Sequence, residues 1–284
     1  MATVDGAQMR VEASVPLILM LLQLSVRVSA IDPEKILFQA KIPPARIKNG
    51  GPTTSRSLPA SSASMLRTTL YGPGVDPYST AKAFASDLKG YPHTHLTAPV
   101  VDNILARLKQ QGMASGYWVE CGSFIGNSAI VAARSIKAAG LASALPLVAI
   151  DPFTGDVNMW AWHLRRARKR QFDFLKMGND GHIRIYETFL ANVAASGFAR
   201  QILPVRATST VGLKLLARLK RERRIERQPV VVYLDAAHEK GETMVELETA
   251  WSVLARPGGF LLGDDFGSPH WPGAEEVRPV RLYR

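Results

Sequence analysis

The stretch Tyr117–Ser128, read Y-W-V-E-C-G-S-F-I-G-N-S, restricts the possible folds more than any other part of the chain. It opens as an apolar strand, Tyr117 to Val119, with Glu120 where that strand is expected to end. Glycines at 122 and 126 make a loop, and Asn127–Ala139 continues with helical spacing. A strand, a glycine turn and a helix, in that order, is how α/β proteins build a nucleotide pocket. Gly122 has no Cβ, so the backbone can turn sharply and come close to a ligand. Asn127 or Ser128 is placed to cap the helix.

Glu120 narrows the ligand. A carboxylate there repels a pyrophosphate seated on the helix N-terminus. It suits a ligand that offers hydroxyls and a positive charge, which favours S-adenosylmethionine over NAD. The spacing agrees: the dinucleotide fingerprint is G-x-G-x-x-G, and here the order is E-x-G-x-x-x-G.

Downstream, short apolar runs alternate with helical ones. Leu145–Ile150, Ile202–Val205, Pro229–Leu234 and Phe260–Leu262 read as buried parallel strands. Ile183–Ala195, Val211–Ile225 and Glu242–Leu254 read as helices between them, and Leu96–Gln110 as a helix packed on the sheet before the first strand. This alternation implies a Rossmann-like, doubly wound, mostly parallel sheet. Ligands in such folds bind beyond the carboxyl ends of the strands. Those ends carry Glu120, Asp151, Asp235, Asp264 and Asp265, a rim of acids on a chain whose formal net charge is +11. Unpaired buried charge is costly, so a core gains nothing from acids there.

The basic residues gather in Arg165–Arg170 and Arg218–Arg227, read as the solvated faces of two helices. Cys121 is the single cysteine, so no intramolecular disulfide can form, and the thiol reads as a small packing residue. Residues 1–30 have the grammar of a secretory signal peptide or anchor: Arg10, an apolar core from Val15 to Leu22, then Val28-Ser29-Ala30. Entry to the secretory pathway is the expectation, with an organelle-targeting leader as the alternative. Residues 31–90 read as a flexible linker, because 41–64 are rich in Pro, Gly, Ser and Thr. The catalytic domain is expected over 91–284.

Five ordered pieces of the chain resemble the class I S-adenosylmethionine-dependent methyltransferases, and within them the macrocin O-methyltransferase and cephalosporin hydroxylase-like group. They are V-E-C-G-S-F-I-G-N-S (Val119–Ser128), A-I-D-P-F-T-G-D (Ala149–Asp156), Y-E-T-F-L-A-N-V (Tyr186–Val193), Y-L-D-A-A-H-E-K-G-E-T (Tyr233–Thr243) and R-P-G-G-F-L-L-G-D-D-F (Arg256–Phe266). The resemblance implies that Glu120, Gly122 and Gly126 hold the methionine part of S-adenosylmethionine, with Ser123 and Ser128 also in the cofactor site. It implies that Asp151 binds the ribose and that Ser209, in the A-T-S segment, borders the adenine. Asp235, with a share in the cofactor site, joins Asp264 and Asp265 as ligands of a divalent metal. Oxygen-only ligands suit Mg²⁺. His238 matches a histidine near the acceptor and is the candidate general base.

The implied reaction is Mg²⁺-assisted methyl transfer to a hydroxyl of a small molecule or sugar. Ala237 stands where relatives often have a second acid. Relatives also continue past the fifth strand with a helix and two strands, so the sheet is expected to stop short after its fifth strand. Two other functions stay open: a catalytically inactive binding protein on the same fold, and an RNA methyltransferase using the basic helices. Against the latter, no Asn/Asp-Pro-Pro-aromatic motif or aromatic-rich basic patch is present. Self-association and contact of the leader with a membrane are also left open.

Overall fold

The computed structural model describes residues 36–39 (as backbone), 62–88, 94, 96–156, 174–175, 177–236, 238–239, 241–255 and 258–265. The leader, His93 and His95, Arg165–Arg170 and the stretch 266–284 lie outside these residues. In chain order the elements are β1 (Ile36–Gln39), α1 (Ser62–Tyr71), α2 (Ala98–Gln110), β2 (Tyr117–Cys121), α3 (Asn127–Ala138), β3 (Leu147–Asp151), α4 (Ile185–Ala195), β4 (Ile202–Arg206), α5 (Ser209–Arg221), β5 (Pro229–Leu234), α6 (Glu242–Val253) and β6 (Phe260–Gly263).

The strands read as unbroken apolar runs because both faces are covered. Trp118, Leu147, Ala149, Val231 and Tyr233 face the layer made by α2, α3 and α4. Tyr117, Val119, Cys121, Val148, Ile150 and Val232 face the opposite layer, with Leu66 of α1, Leu213 and Leu216 of α5, and Ala250 and Val253 of α6. Cys121 is fully buried there, and burial pushes its thiol pKa well up, which suits a packing residue rather than a nucleophile.

The sheet order is β1-β6-β5-β2-β3-β4. β2 to β6 are parallel. The chain leaves β2 toward β3 and β4, then returns to place β5 on the other side of β2. The carboxyl ends of β2 and β5 are therefore the topological switch point, where open α/β sheets bind ligands.

Three features depart from the sequence reading. β2 runs on through Glu120 to Cys121, so Glu120 lies inside the strand instead of closing it. The sheet has a sixth strand: β1 pairs antiparallel with β6, Ile36 opposite Gly263 through Gln39 opposite Phe260. Three apolar residues and a glutamine beside a polar, glycine-rich stretch give no periodicity to recognise, but their backbone meets the free N–H and C=O groups along β6. Residues 62–88, inside the expected linker, dock against the far edge of the sheet. Tyr71 Oη donates to the Pro204 carbonyl at 2.8 Å and Tyr78 Oη to the Ile202 carbonyl at 2.9 Å. Both acceptors belong to β4, the opposite edge strand, and the tyrosines supply donors that no further strand provides.

Among the described residues no helix is long and apolar enough to cross a membrane. At the end of α5, Arg218 and Arg221 are exposed and Lys220 is half-buried, and Arg218 pairs there with Glu222 at 2.6 Å, consistent with a solvated face.

Candidate active site

The glycine loop is shaped by close approach. Gly122 has φ +86°, and a Cβ there would lie 1.8 Å from the Asp235 carbonyl oxygen. The β5 backbone crosses directly over the turn, and Asp235 N donates to the Cys121 carbonyl at 2.9 Å. Gly126, with φ +93°, is the N-cap of α3. The cap therefore falls on glycine, not on Asn127 or Ser128: the Ser128 hydroxyl turns inward and donates to Glu120 Oε1 at 2.9 Å.

Glu120 has no exposed surface. Burial, with added repulsion from Asp235 and Asp151, pushes its carboxyl up to about 8 despite the Ser128 bond. Ser123, also buried, lies beside it. Glu120 is thus a neutral acid beneath the glycine loop at pH 7, not a charged member of the rim. A group whose acid pKa rises on folding loses stability as pH climbs from its unfolded value of 4.5 to about 8, and is flat above. We expect the denaturant midpoint of the wild type to fall across that window and Glu120→Gln to flatten the fall, by an amount on the order of a few kcal/mol. Unfolding curves with the same pH slope in both proteins would contradict this.

Asp151 ends β3 and grips the loop. Its Oδ2 accepts the Phe124 N–H at 2.8 Å, and its Oδ1 accepts the Phe153 N–H at 2.5 Å. Burial raises its pKa while these bonds and one from the Ser123 N–H work against the rise. The carboxylate has about four lone-pair sites, so it can hold the loop and still receive ribose hydroxyls. Ser209 heads α5 and is buried, with its side chain next to the Cys121 thiol on the sheet face.

The acids at the ends of β5 and β6 divide into two groups. Asp264 Oδ2 accepts the buried Tyr233 hydroxyl at 2.6 Å, and its Oδ1 accepts the Asp265 N–H at 2.9 Å. Asp235, His238 and Asp265 come together instead, each offering one ligand atom within 4.8 Å of the others. His238 Nε2 lies 3.2 Å from Asp265 Oδ2 and 3.8 Å from Asp235 Oδ1. On the other side, Nδ1 lies 3.2 Å from Asp156 Oδ2. Burial alone would lower the imidazole pKa, but the Asp156, Asp235 and Asp265 carboxylates overrule it and push it up to about 12. Burial, then Asp264 and Asp265, push Asp235 up to about 7, with His238 opposing.

Non-glycine residues with positive φ cluster here: Phe124 at 45°, Phe153 at 57° and Asp265 at 57°. Each stands in a loop just past a strand end, where stored backbone strain is tolerated because neighbouring bonds fix it. Sequence reasoning placed Glu120, Gly122, Ser123, Gly126, Ser128, Asp151, Asp235, His238, Asp264 and Asp265 at one end of the sheet, and the structure brings them there. It gave no role to Tyr233, Asp156 or Asn192. Tyr233 and Asp156 sat inside quoted motifs, but the bond from Asp156 to His238 spans 82 positions, and no local pattern reveals it.

A family model described as a methyltransferase domain matches residues 119–266. No curated protein matches the chain. Among solved structures, the chain is similar to a TDP-rhamnose 3'-O-methyltransferase of calicheamicin biosynthesis, at 16% identity over 80% of this chain and 87% of that one, with a TM-score of 0.43. It is also similar to an O-methyltransferase from Bacillus cereus in complex with SAH (12% identity, 78% and 84% coverage, TM-score 0.43). A third is the O-methyltransferase TomG from Streptomyces achromogenes (20% identity, 78% and 83% coverage, TM-score 0.37). The family match covers more than half of the 284 residues, from β2 through β6, and the chain belongs to this methyltransferase-domain family, the class I S-adenosylmethionine-dependent methyltransferases.

Proposed function

We propose that the chain transfers the methyl group of S-adenosylmethionine to a hydroxyl of a small molecule or sugar, assisted by a divalent cation. The observation that carries this reading is the Asp235–His238–Asp265 cluster beside the Gly122 turn at the switch point. In the reaction the acceptor oxygen attacks the methyl carbon. The carbon–sulfur bond breaks with its electrons to sulfur, and the hydroxyl proton passes to a base.

Two carboxylates and an imidazole fit a divalent cation, and the donor set differs from the oxygen-only one expected from the sequence. One nitrogen ligand admits Mn²⁺ or Co²⁺ alongside Mg²⁺. When bound, such a cation lowers the pKa of a coordinated hydroxyl. The chain's part is to position the donors. Asp235 leaves the end of β5, Asp265 follows β6, and Asp156 fixes the imidazole ring through Nδ1, as carboxylates do behind metal-bound histidines. With its pKa near 12, His238 holds its proton and accepts none at neutral pH while its acidic neighbours are uncompensated. Positive charge that neutralises them releases that proton and frees Nε2, as a ligand where the cation binds there or as the base where it does not.

A non-catalytic reading draws on the same geometry, in which the imidazolium among three carboxylates is simply an internal ion pair. A methyl-transfer assay against a panel of polyhydroxylated acceptors, run with EDTA and then with added Mg²⁺ or Mn²⁺, separates the two. The proposal expects activity that the chelator abolishes and the cation restores. Activity indifferent to EDTA would remove the metal, and no turnover with any acceptor would favour the binding protein.

A further inference from the structure

The run Tyr186–Val193 matched a family piece without acquiring a task. It forms most of α4, and Phe189, Asn192 and Val193 share one face of that helix by their spacing. That face lies against the cofactor loop. A Cβ on Gly126 would meet Phe189 Cδ2 at 3.1 Å and Val193 Cγ2 at 3.5 Å. Asn192 has no exposed surface. A buried amide is costly unless its groups are bonded, and a leucine would serve packing better.

The bonds of Asn192 explain its presence. Its Nδ2 donates to the Ile125 carbonyl at 2.8 Å. Its Oδ1 accepts the Ser86 hydroxyl at 2.9 Å and the Asp87 N–H at 2.7 Å. The α3 ladder begins one residue after Ile125, with Ile130 N–H donating to the Gly126 carbonyl. The Ile125 carbonyl therefore lies outside the ladder, faces the interior and takes its donor from α4. Asp151 fixes the neighbouring peptide through the Phe124 N–H. The loop is thus held at two points, the Phe124 N–H by Asp151 and the Ile125 carbonyl by Asn192.

We propose that Asn192 is a positioning residue: it sets the conformation of the cofactor loop through Ile125 and couples that loop to the docked segment at residues 86–87. The effect on cofactor affinity rests on the S-adenosylmethionine reading above, whereas the effect on the loop does not. Asn192→Asp keeps an acceptor for Ser86 and Asp87 but presents only oxygen to the Ile125 carbonyl. Ser86→Ala removes one bond on the segment side and leaves the Ile125 bond intact.

Hydrogen exchange on the full chain tests this, with the amides of β3 as an internal reference. In Asn192→Asp the amides of residues 123–126 should exchange about tenfold faster relative to β3, and S-adenosylmethionine should bind about tenfold more weakly. In Ser86→Ala the loop should stay within about twofold of wild type. Asn192→Ala gives the same reading if the buried carboxylate hinders folding. The proposal is overturned if loop exchange is unchanged in the Asn192 variants, or if loop and β3 accelerate together, since that is loss of stability and not of position. A wild type that fails to bind S-adenosylmethionine would sink the cofactor reading, and the exchange result would still decide the role of Asn192.

Discussion

Gly122→Ala should abolish cofactor binding and destabilise the fold by about 4 kcal/mol or more, at the exceptional end for a single substitution. The added methyl would sit 1.8 Å from the Asp235 carbonyl oxygen and 2.4 Å from its carbon, a contact no rotamer change can relieve. The backbone at 122 also has φ +86°, a region that L residues occupy at a cost. Relief requires β2 and β5 to part at their carboxyl ends, which breaks the Asp235 N–H bond to Cys121 and drags Asp235 away from His238 and Asp265. Chemical denaturation measures the loss. A variant with near wild-type stability would mean that the turn is far more pliable than this packing allows.

The second large effect is expected at His238. On the proposed donor set, His238→Ala should weaken Mn²⁺ binding and lower methyl transfer by about a hundredfold or more, comparable to losing Asp265. Asp264→Ala should act differently. It removes the acceptor of the Tyr233 hydroxyl at 2.6 Å, so it should cost about 1–3 kcal/mol of stability while leaving cation affinity closer to wild type. Titrating Mn²⁺ by electron paramagnetic resonance against the three variants separates the two ligand sets. If Asp264→Ala abolishes binding and His238→Ala does not, the oxygen-only set expected from sequence holds instead.

The contrast between His238 and Asp264 shows what the sequence carries. Strand ends are legible for β3, β5 and β6, which are short apolar runs bounded by glycine, proline or acid. Which acid points where is not legible. Asp264 and Asp265 are adjacent, yet Asp265, with its positive φ, meets the histidine while its neighbour meets Tyr233. Glu120 was read one step too far along, since a buried strand gives no alternation to mark its end. Asn192 reads as one polar position on a helix. Its oxygen is met by residues 86–87, which lie outside the domain expected from sequence. β1 was missed for a related reason: its partner β6 lies more than two hundred residues away, so its pairing is wholly non-local.

Calorimetric titration of the full chain with S-adenosylmethionine tests the central claim most directly. One site per chain should saturate in the micromolar range, as is usual for enzyme ligands. Its affinity should rise with pH toward about 8 as a cationic ligand draws the proton from Glu120, and Glu120→Gln should lose that pH dependence. No heat of binding at millimolar ligand, from a chain shown to be folded, would contradict the account.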